Sequence, residues 1–328
     1  MSLLSLLIAL AAEKSLASSY WRFDYYYQQY VNFFQNWFNN KTAQTKLKKS
    51  NISYAIFIFL PVAFVYGILH LVDDGLLHLI ISTLILIVSF GCIKTRGVYK
   101  QYLHASFQGE KTTAALYHQQ LLQDKNLPYM AFGQALIWLN YRYYIAIMLF
   151  FVIFGAAGVV FYRLLTTVIE QQNSSSIETE ITNVDEEDFK NSQISATDTT
   201  LKSDNEQTAN ISDEEYTEEQ HNIKQPHDCK NYQQLLFFID WLPVRITSFG
   251  YMFVGHFSKA LPVWLENLFD VHKPTYKILI DVARKSEDFM IDKDDCSVEP
   301  CLLVRLAKRN VLLLLSVISI LTLLGLVN

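Results

Sequence analysis

The sequence holds little that could staple a fold or ligate an ion. Its four cysteines, Cys92, Cys229, Cys296 and Cys301, are too few and too scattered for a disulfide framework, and none stands at zinc-ligand spacing from a histidine. No metal site and no cofactor are expected. A phosphate-cradling loop is missing too: in Gly109-Glu110-Lys111-Thr112 a glutamate separates the glycine from the lysine, and no glycine stands at the required upstream position. The GxSxG and HExxH patterns of serine and zinc hydrolases are absent. Basic residues form short patches and no stripe, so nucleic acid is not an expected partner. Charged residues make up only 18% of the chain, and their distribution matters more than their number.

What the chain has is apolar sequence in blocks. Ile52–Val72, Gly75–Ile93, Tyr143–Tyr162 and Val311–Val327 are nearly unbroken apolar runs of about 17 to 21 residues, enough to cross a hydrocarbon layer of about 30 Å as helices. The lipid bilayer is therefore the first partner, and the expected class is an all-α, polytopic membrane protein. A fifth run, Leu235–Gly255, carries Asp240 and Arg245 within it. About ten strongly apolar residues there favour insertion by roughly 5 kcal/mol, and the two charges oppose it by roughly 5 to 7 kcal/mol. Such a helix suits a bundle interior rather than lipid, which leaves four or five spans. The N-terminal run, Leu3 to Ala12, is too short to span and has no preceding basic residue, so it is expected to be an uncleaved, embedded or interfacial helix.

The positive-inside rule supplies an orientation. Lys41, Lys46, Lys48 and Lys49 precede the first run, Lys94, Arg96 and Lys100 follow the second, and Arg305, Lys308 and Arg309 precede the last. These flanks are expected in the cytoplasm together with the N-terminus. With Tyr143–Tyr162 as one crossing, the segment after it lies outside, and Leu235–Gly255 must cross back. The segment Glu170–Lys230 has 16 acids against 4 lysines and few apolar residues, so it is expected to be a solvated, disordered linker. The organisation read from the sequence is a membrane region at 1–165, the acidic linker at 166–231 and a second membrane region at 232–328. Between Tyr20 and Lys41, Phe23, Tyr26, Tyr27, Tyr30, Phe34 and Trp37 recur at steps of one, three or four, as in a helix lying at the headgroup boundary or packed on the protein's own spans.

Ionisable residues at membrane depth are the candidates for function. Asp240-Trp-Leu-Pro-Val-Arg245 leads: five residues on a straight helix place the two charges about 140° apart, and Pro243 is expected to break the helix and turn both toward one pocket that takes an anion. An inward-turned ion pair that only fixes packing is the alternative. His256 and Lys259 follow at a mouth where phosphates or anionic headgroups would meet them, or where they serve as interface anchors. Trp138, Asn140 and Arg142 open the third run, and Glu13 is the remaining acid near membrane depth.

The segments LLSLLIALAAEK, Ala135-Leu-Ile-Trp-Leu-Asn-Tyr-Arg-Tyr-Tyr144, Asp240-Trp-Leu-Pro-Val-Arg245 and Gly255-His256…Lys259-Ala-Leu-Pro-Val-Trp264, in this order and followed by a basic and then apolar C-terminus, resemble the AmpE family. The resemblance implies a bacterial inner-membrane protein that modulates β-lactamase induction in connection with peptidoglycan recycling. A cell-wall metabolite or a recycling protein would then be its partner. The acidic segment is foreign to that pattern. AmpE is itself similar to the CobD/CbiB membrane enzymes that form an amide bond in cobalamin synthesis, with Asp240, Pro243 and Arg245 matching their shared segment. Here Trp138-Leu139-Asn140 replaces their acidic signature, and Leu164-Leu165-Thr166-Thr167 replaces the stretch expected after the third span. A regulator without catalytic residues is the leading expectation, an amide-forming synthase the alternative, and a purely structural scaffold the third reading.

Overall fold

The computed structural model describes residues 2–15, 21, 23–39, 51–72, 74–91, 93–191, 227–287 and 298–326. Among these residues the regular structure is helical throughout, with no strand. The helices are α1 (Ser2–Ser15), α2 (Phe23–Asn39), α3 (Asn51–Leu71), α4 (Gly75–Ser89), α5 (Ile93–Phe107), α6 (Lys111–Asp124), α7 (Phe132–Asn140), α8 (Ala146–Asn191), α9 (His227–Val254), α10 (Phe257–Leu268), α11 (Thr275–Ser286) and α12 (Val298–Leu323). A π-helical turn, Tyr141–Ile145, joins α7 to α8.

By length and apolarity, 132–171 and Val298–Leu323 can cross a membrane, and a third candidate arises if Gly75–Ser89 and Lys94–Phe107, bent by 42°, are counted together. The expected four to five spans are not reproduced at that count. The second apolar run stops at Ser89 because Phe90 leaves helical geometry (φ −73°, ψ 101°), which leaves α4 with 15 residues. Ile56–Leu71 is apolar but also shorter than a full crossing.

The third run differs most from expectation. Tyr143–Tyr162 is not one straight crossing, because Gly155 sits at φ 67°, ψ −162° and breaks the helix within it. Stretch 132–171, at 40 residues, would be about 60 Å long if straight, twice the hydrocarbon thickness. The contacts show that it folds back. Tyr143 Oη donates to Glu170 Oε1 at 3.0 Å, and the Phe150 and Tyr162 rings stack at 4.8 Å, pairings that an extended helix forbids. The result is an antiparallel helical hairpin with arms of about 23 and 16 residues on either side of one glycine. The first arm is about 34 Å long, close to the hydrocarbon thickness of a bilayer. The run looks continuous in sequence because both arms are apolar.

Around this hairpin the other helices pack on both sides. α1 lies on α4, α3 and α4 on α8, α7 on α12, and α9 on α8, α11 and α12. One core draws on both halves of the sequence, from Leu6 and Ala9 through Ile147 and Tyr162 to Val244, Leu306 and Ile318. A smaller core forms where α5 and α6 cover α7, with Tyr102 stacked on Phe132 at 3.7 Å. α2 packs on α3 around Phe57, which meets the rings of Tyr27, Tyr30 and Phe34 at 6.1, 4.8 and 5.1 Å, while Tyr25, Tyr26 and Phe33 stay exposed. Thr166 to Ile169, expected to open the linker, are buried, and α8 runs on to Asn191. Extending a nucleated helix costs little per residue. The expected disorder of 192–226 lies outside the described residues.

Gly155 stands at positive φ, where a side chain is strained even though space is open around it. Gly155→Val places a β-branched side chain at positive φ, at a cost of about 1–3 kcal/mol, and should lower the thermal unfolding midpoint of the detergent-solubilised protein. Gly67→Ala, in α3 with open space where its Cβ would stand, should leave the midpoint unchanged or raise it slightly.

Candidate functional site

The π turn decides which way four consecutive polar side chains point. It inserts a residue into the helical ladder, and such bulges concentrate at functional sites. Tyr141, Tyr143 and Tyr144 each reach a different carboxylate. Tyr141 Oη donates to Asp240 Oδ1 at 2.7 Å, Tyr143 Oη to Glu170 Oε1 at 3.0 Å and Tyr144 Oη to Glu13 Oε1 at 2.7 Å. Every carboxylate involved comes from a different helix, so the turn ties α9, the hairpin's second arm and α1 to one segment.

Asp240 is 1% exposed, and its Oδ1 also accepts from Tyr162 Oη at 3.0 Å. The hairpin causes this convergence, because it places Tyr141 on one arm and Tyr162 on the other. Two phenol donors replace the water that a buried carboxyl group loses. Beside them, Arg142 on the first arm lies over the Trp138 ring at 5.3 Å and approaches Glu170 Oε1 at 3.6 Å. Glu170 in turn takes the Tyr143 hydroxyl, which accepts from Lys125 Nζ at 2.7 Å. Arg163, 2% exposed, sits over the rings of Phe23 and Tyr143 at 5.0 and 4.7 Å. Three guanidinium positions in this layer, Arg142 Nε and Arg163 Nε and Nη1, are buried with no hydrogen-bond acceptor. Among the described residues, Lys125, Arg142 and Arg163 here face the carboxyl groups of Asp240 and Glu170.

The sequence-predicted residues do not form one group. Asp240, Arg142 and Trp138 share the layer just described. Glu13 belongs to a neighbouring cluster, ion-paired with Arg96 and hydrogen-bonded to Tyr144. Asn140 lies close by, with a buried Oδ1 that has no partner. Arg245 is elsewhere, which corrects the expectation of a pocket shared with Asp240. Its guanidinium donates to the carbonyls of Leu268 (2.6 Å), Asp270 (2.6 Å), Asn267 (3.3 Å) and Trp241 (2.9 Å), and it stacks on the Trp241 ring at 4.3 Å. These carbonyls belong largely to the C-terminal end of α10, so Arg245 caps that helix, where a cation meets unpaired carbonyls and the negative end of the dipole. The turn below it is fixed by Asp270, whose Oδ1 accepts from the backbone N–H of His272 and Lys273. Those bonds, His272 first, hold its carboxyl below the usual range.

Pro243 does not break α9 either. The helix runs through it from His227 to Val254, and Thr247 Oγ1 donates to the Pro243 carbonyl at 2.7 Å. Packing overrides the proline here: Gly250 lets α9 approach Asn310 of α12 so closely that a Cβ would lie 2.1 Å from Oδ1, and Asn310 Nδ2 donates to the Thr247 carbonyl at 3.1 Å. His256 stands just before α10, where its backbone N–H donates to the Ser286 carbonyl, and Lys259 is exposed on that helix. Neither reaches the layer around Asp240.

Tyr141, Tyr143, Tyr162, Arg163, Glu170 and Arg96 join these clusters without having stood out as site candidates in the sequence. A signal was available for Arg163, an arginine eight residues beyond the hairpin glycine within an apolar stretch, but only a folded-back arm gives it neighbours. Among the described residues no three histidine, cysteine or acidic side chains gather as metal ligands.

A sequence profile of the family described as "Regulatory signalling modulator protein AmpE" matches residues 1–175 and 220–327. The unmatched gap falls in the acidic segment. Protein AmpE of Shigella flexneri is 34% identical over 93 residues, a stretch that covers 28% of this chain and 32% of that protein. The chain thus aligns with about a third of the relative's length. No solved structure matches.

The separation of Asp240 from Arg245 has a measurable consequence. Tyr141→Phe leaves a buried carboxylate with one phenol donor and Arg245→Lys strips several carbonyls, each at a cost of about 1–3 kcal/mol. With no shared partner, the two losses should add to within about 0.5 kcal/mol in a double-mutant unfolding cycle. A larger coupling energy would place both charges in one site.

Proposed function

The chain belongs to the AmpE family, and from that premise we propose that it is a multi-pass inner-membrane protein that modulates β-lactamase induction in connection with peptidoglycan recycling. The observation that carries the mechanism is the buried polar layer on the hairpin, in which three guanidinium positions have no acceptor among the described residues. A membrane protein keeps such groups at the expense of stability, and they concentrate where a ligand, an ion or a conformational switch is handled. The chemistry fits an anionic cell-wall metabolite, or an acidic group of a recycling protein, whose arrival gives Arg142 and Arg163 the acceptors they lack. A ligand that pairs these groups in one arrangement of the arms and not in another shifts the balance between them. Glu170 stands at the end of the second arm, where the acidic segment begins, so movement of that arm is transmitted to the linker.

The hairpin also reorders the topology of this proposal. With Lys94–Lys100 and Arg305–Arg309 flanks in the cytoplasm, α3 leads out and α4 leads back, their short apolar lengths met by local thinning of the bilayer, and the two hairpin arms lead out and back again. The acidic segment then lies in the cytoplasm, α9 to α11 need no net crossing, and α12 leads out. Five crossings result, with the second hairpin arm in the place expected of Leu235–Gly255. The synthase alternative has no observation in its favour, since Arg245 of the shared segment is committed to a helix end.

Two outcomes follow. Arg142→Gln and Arg163→Gln should each abolish the response in a β-lactamase induction reporter while the protein stays in the membrane fraction at its normal level. A full response in both variants contradicts the proposed role of the layer. With the four native cysteines replaced, Ser195→Cys should resist an impermeant thiol reagent in intact spheroplasts and react after the membrane is opened. Labelling of intact spheroplasts would place the acidic segment outside.

A further inference from the structure

A second feature lies apart from the layer around Asp240. Between α1, α5, α7 and α12 runs a cleft of about 460 Å³, within the size range of small-molecule sites, about 300–1,000 Å³. Its α12 wall is Val304, Ala307, Lys308, Val311 and Leu312, the steps of three and four that make one helix face. That face is apolar except for Lys308 at its middle. Opposite, α7 contributes Leu136 and Leu139, and α5 brings Arg96 to the rim.

The charged side chains that line the cleft are both cations. Arg96 pairs through one Nη atom with Glu13, which lies outside the lining, and its side chain is still 42% exposed. Among the described residues no carboxylate pairs with Lys308. Asn140, whose Oδ1 is buried and unpartnered, lines the same cleft beside Tyr144. An apolar slot with two cations and one amide at its rim is complementary to a molecule with an anionic head and a hydrocarbon tail. The location selects the source of that molecule. Lys308 sits one turn before the apolar part of α12, where headgroups lie, and the wall continues through Val311 and Leu312 toward the hydrocarbon layer.

We infer that this cleft is a binding site for an anionic membrane lipid, with the headgroup phosphate between Arg96 and Lys308 and an acyl chain along α12 and α7. The inference is independent of the role assigned to Arg142 and Arg163. A lipid held there would bridge α1, α5 and α12, elements that otherwise meet through few contacts, and would act as a structural ligand.

The test uses the full chain purified in a neutral detergent, with thermal unfolding followed as lipid is added. Dioleoyl phosphatidylglycerol should raise the unfolding midpoint saturably, whereas dioleoyl phosphatidylcholine and inorganic phosphate should not. Lys308→Gln should weaken the half-saturating concentration by about fivefold, the equivalent of one phosphate contact near 1 kcal/mol, and Lys308→Arg should restore it. Ala307→Phe, which fills the slot and keeps both charges, should weaken it as well, and serves if the lysine variant does not fold. Equal stabilisation by phosphatidylcholine would mean unspecific solvation of apolar surface. Saturation by inorganic phosphate alone would mean an anion site without a tail. An unchanged response in both Lys308→Gln and Ala307→Phe would place the lipid elsewhere. Each of these three results overturns the inference.

Discussion

A helix that reverses at a single residue inside an apolar stretch fixes the neighbours of every side chain on its two arms. Gly155 makes that reversal, and the rest of the structure is arranged around it. Because the arms run antiparallel, Tyr141 and Tyr162, separated by most of a membrane crossing along the chain, both reach Asp240 of α9. Arg142 and Glu170 meet for the same reason. If the hairpin were opened, Asp240 would lose one of its two donors and Arg142 its carboxylate, each left in a medium where an unpaired polar group is costly. The reversal and the polar layer therefore support one another: the glycine permits the geometry, and the buried hydrogen bonds hold the arms together.

Several features of this arrangement were legible in the sequence. The apolar blocks announced a helical membrane protein, and Asp240, Arg142 and Glu13 stood out as ionisable groups within them. All three are buried or nearly so and hydrogen-bonded or ion-paired. The hairpin was not legible, because composition reports only that a stretch is apolar, and Phe154-Gly155-Ala156 differs little from glycine within a straight span. Arg245 misled for a related reason. Its charge inside an apolar run suggested a partner of opposite sign, yet four backbone carbonyls satisfy it, and carbonyls have no sequence signature.

The two cationic features serve different ends. The layer on the hairpin is largely buried, with aromatic rings of Phe23, Trp138 and Tyr143 against its guanidinium groups, so a ligand that reaches those groups must displace the rings or act through the arms. The cleft beside α12 is open and apolar with a cationic rim. Tyr144 borders it and also holds Glu13, which connects the cleft to the π turn from which the layer is built. The matching family is described as a regulatory signalling modulator, and a segment with polar ties to three other helices has a form that suits the role proposed for this chain.

The most direct test is a distance. Spin labels on Gln134→Cys and Gln171→Cys, in a background without the native cysteines, report on whether stretch 132–171 turns back. A continuous helix would separate these positions by about 55 Å. The hairpin predicts a pulsed dipolar distance of less than half that value, and a separation near the extended length would contradict the fold and the polar layer with it.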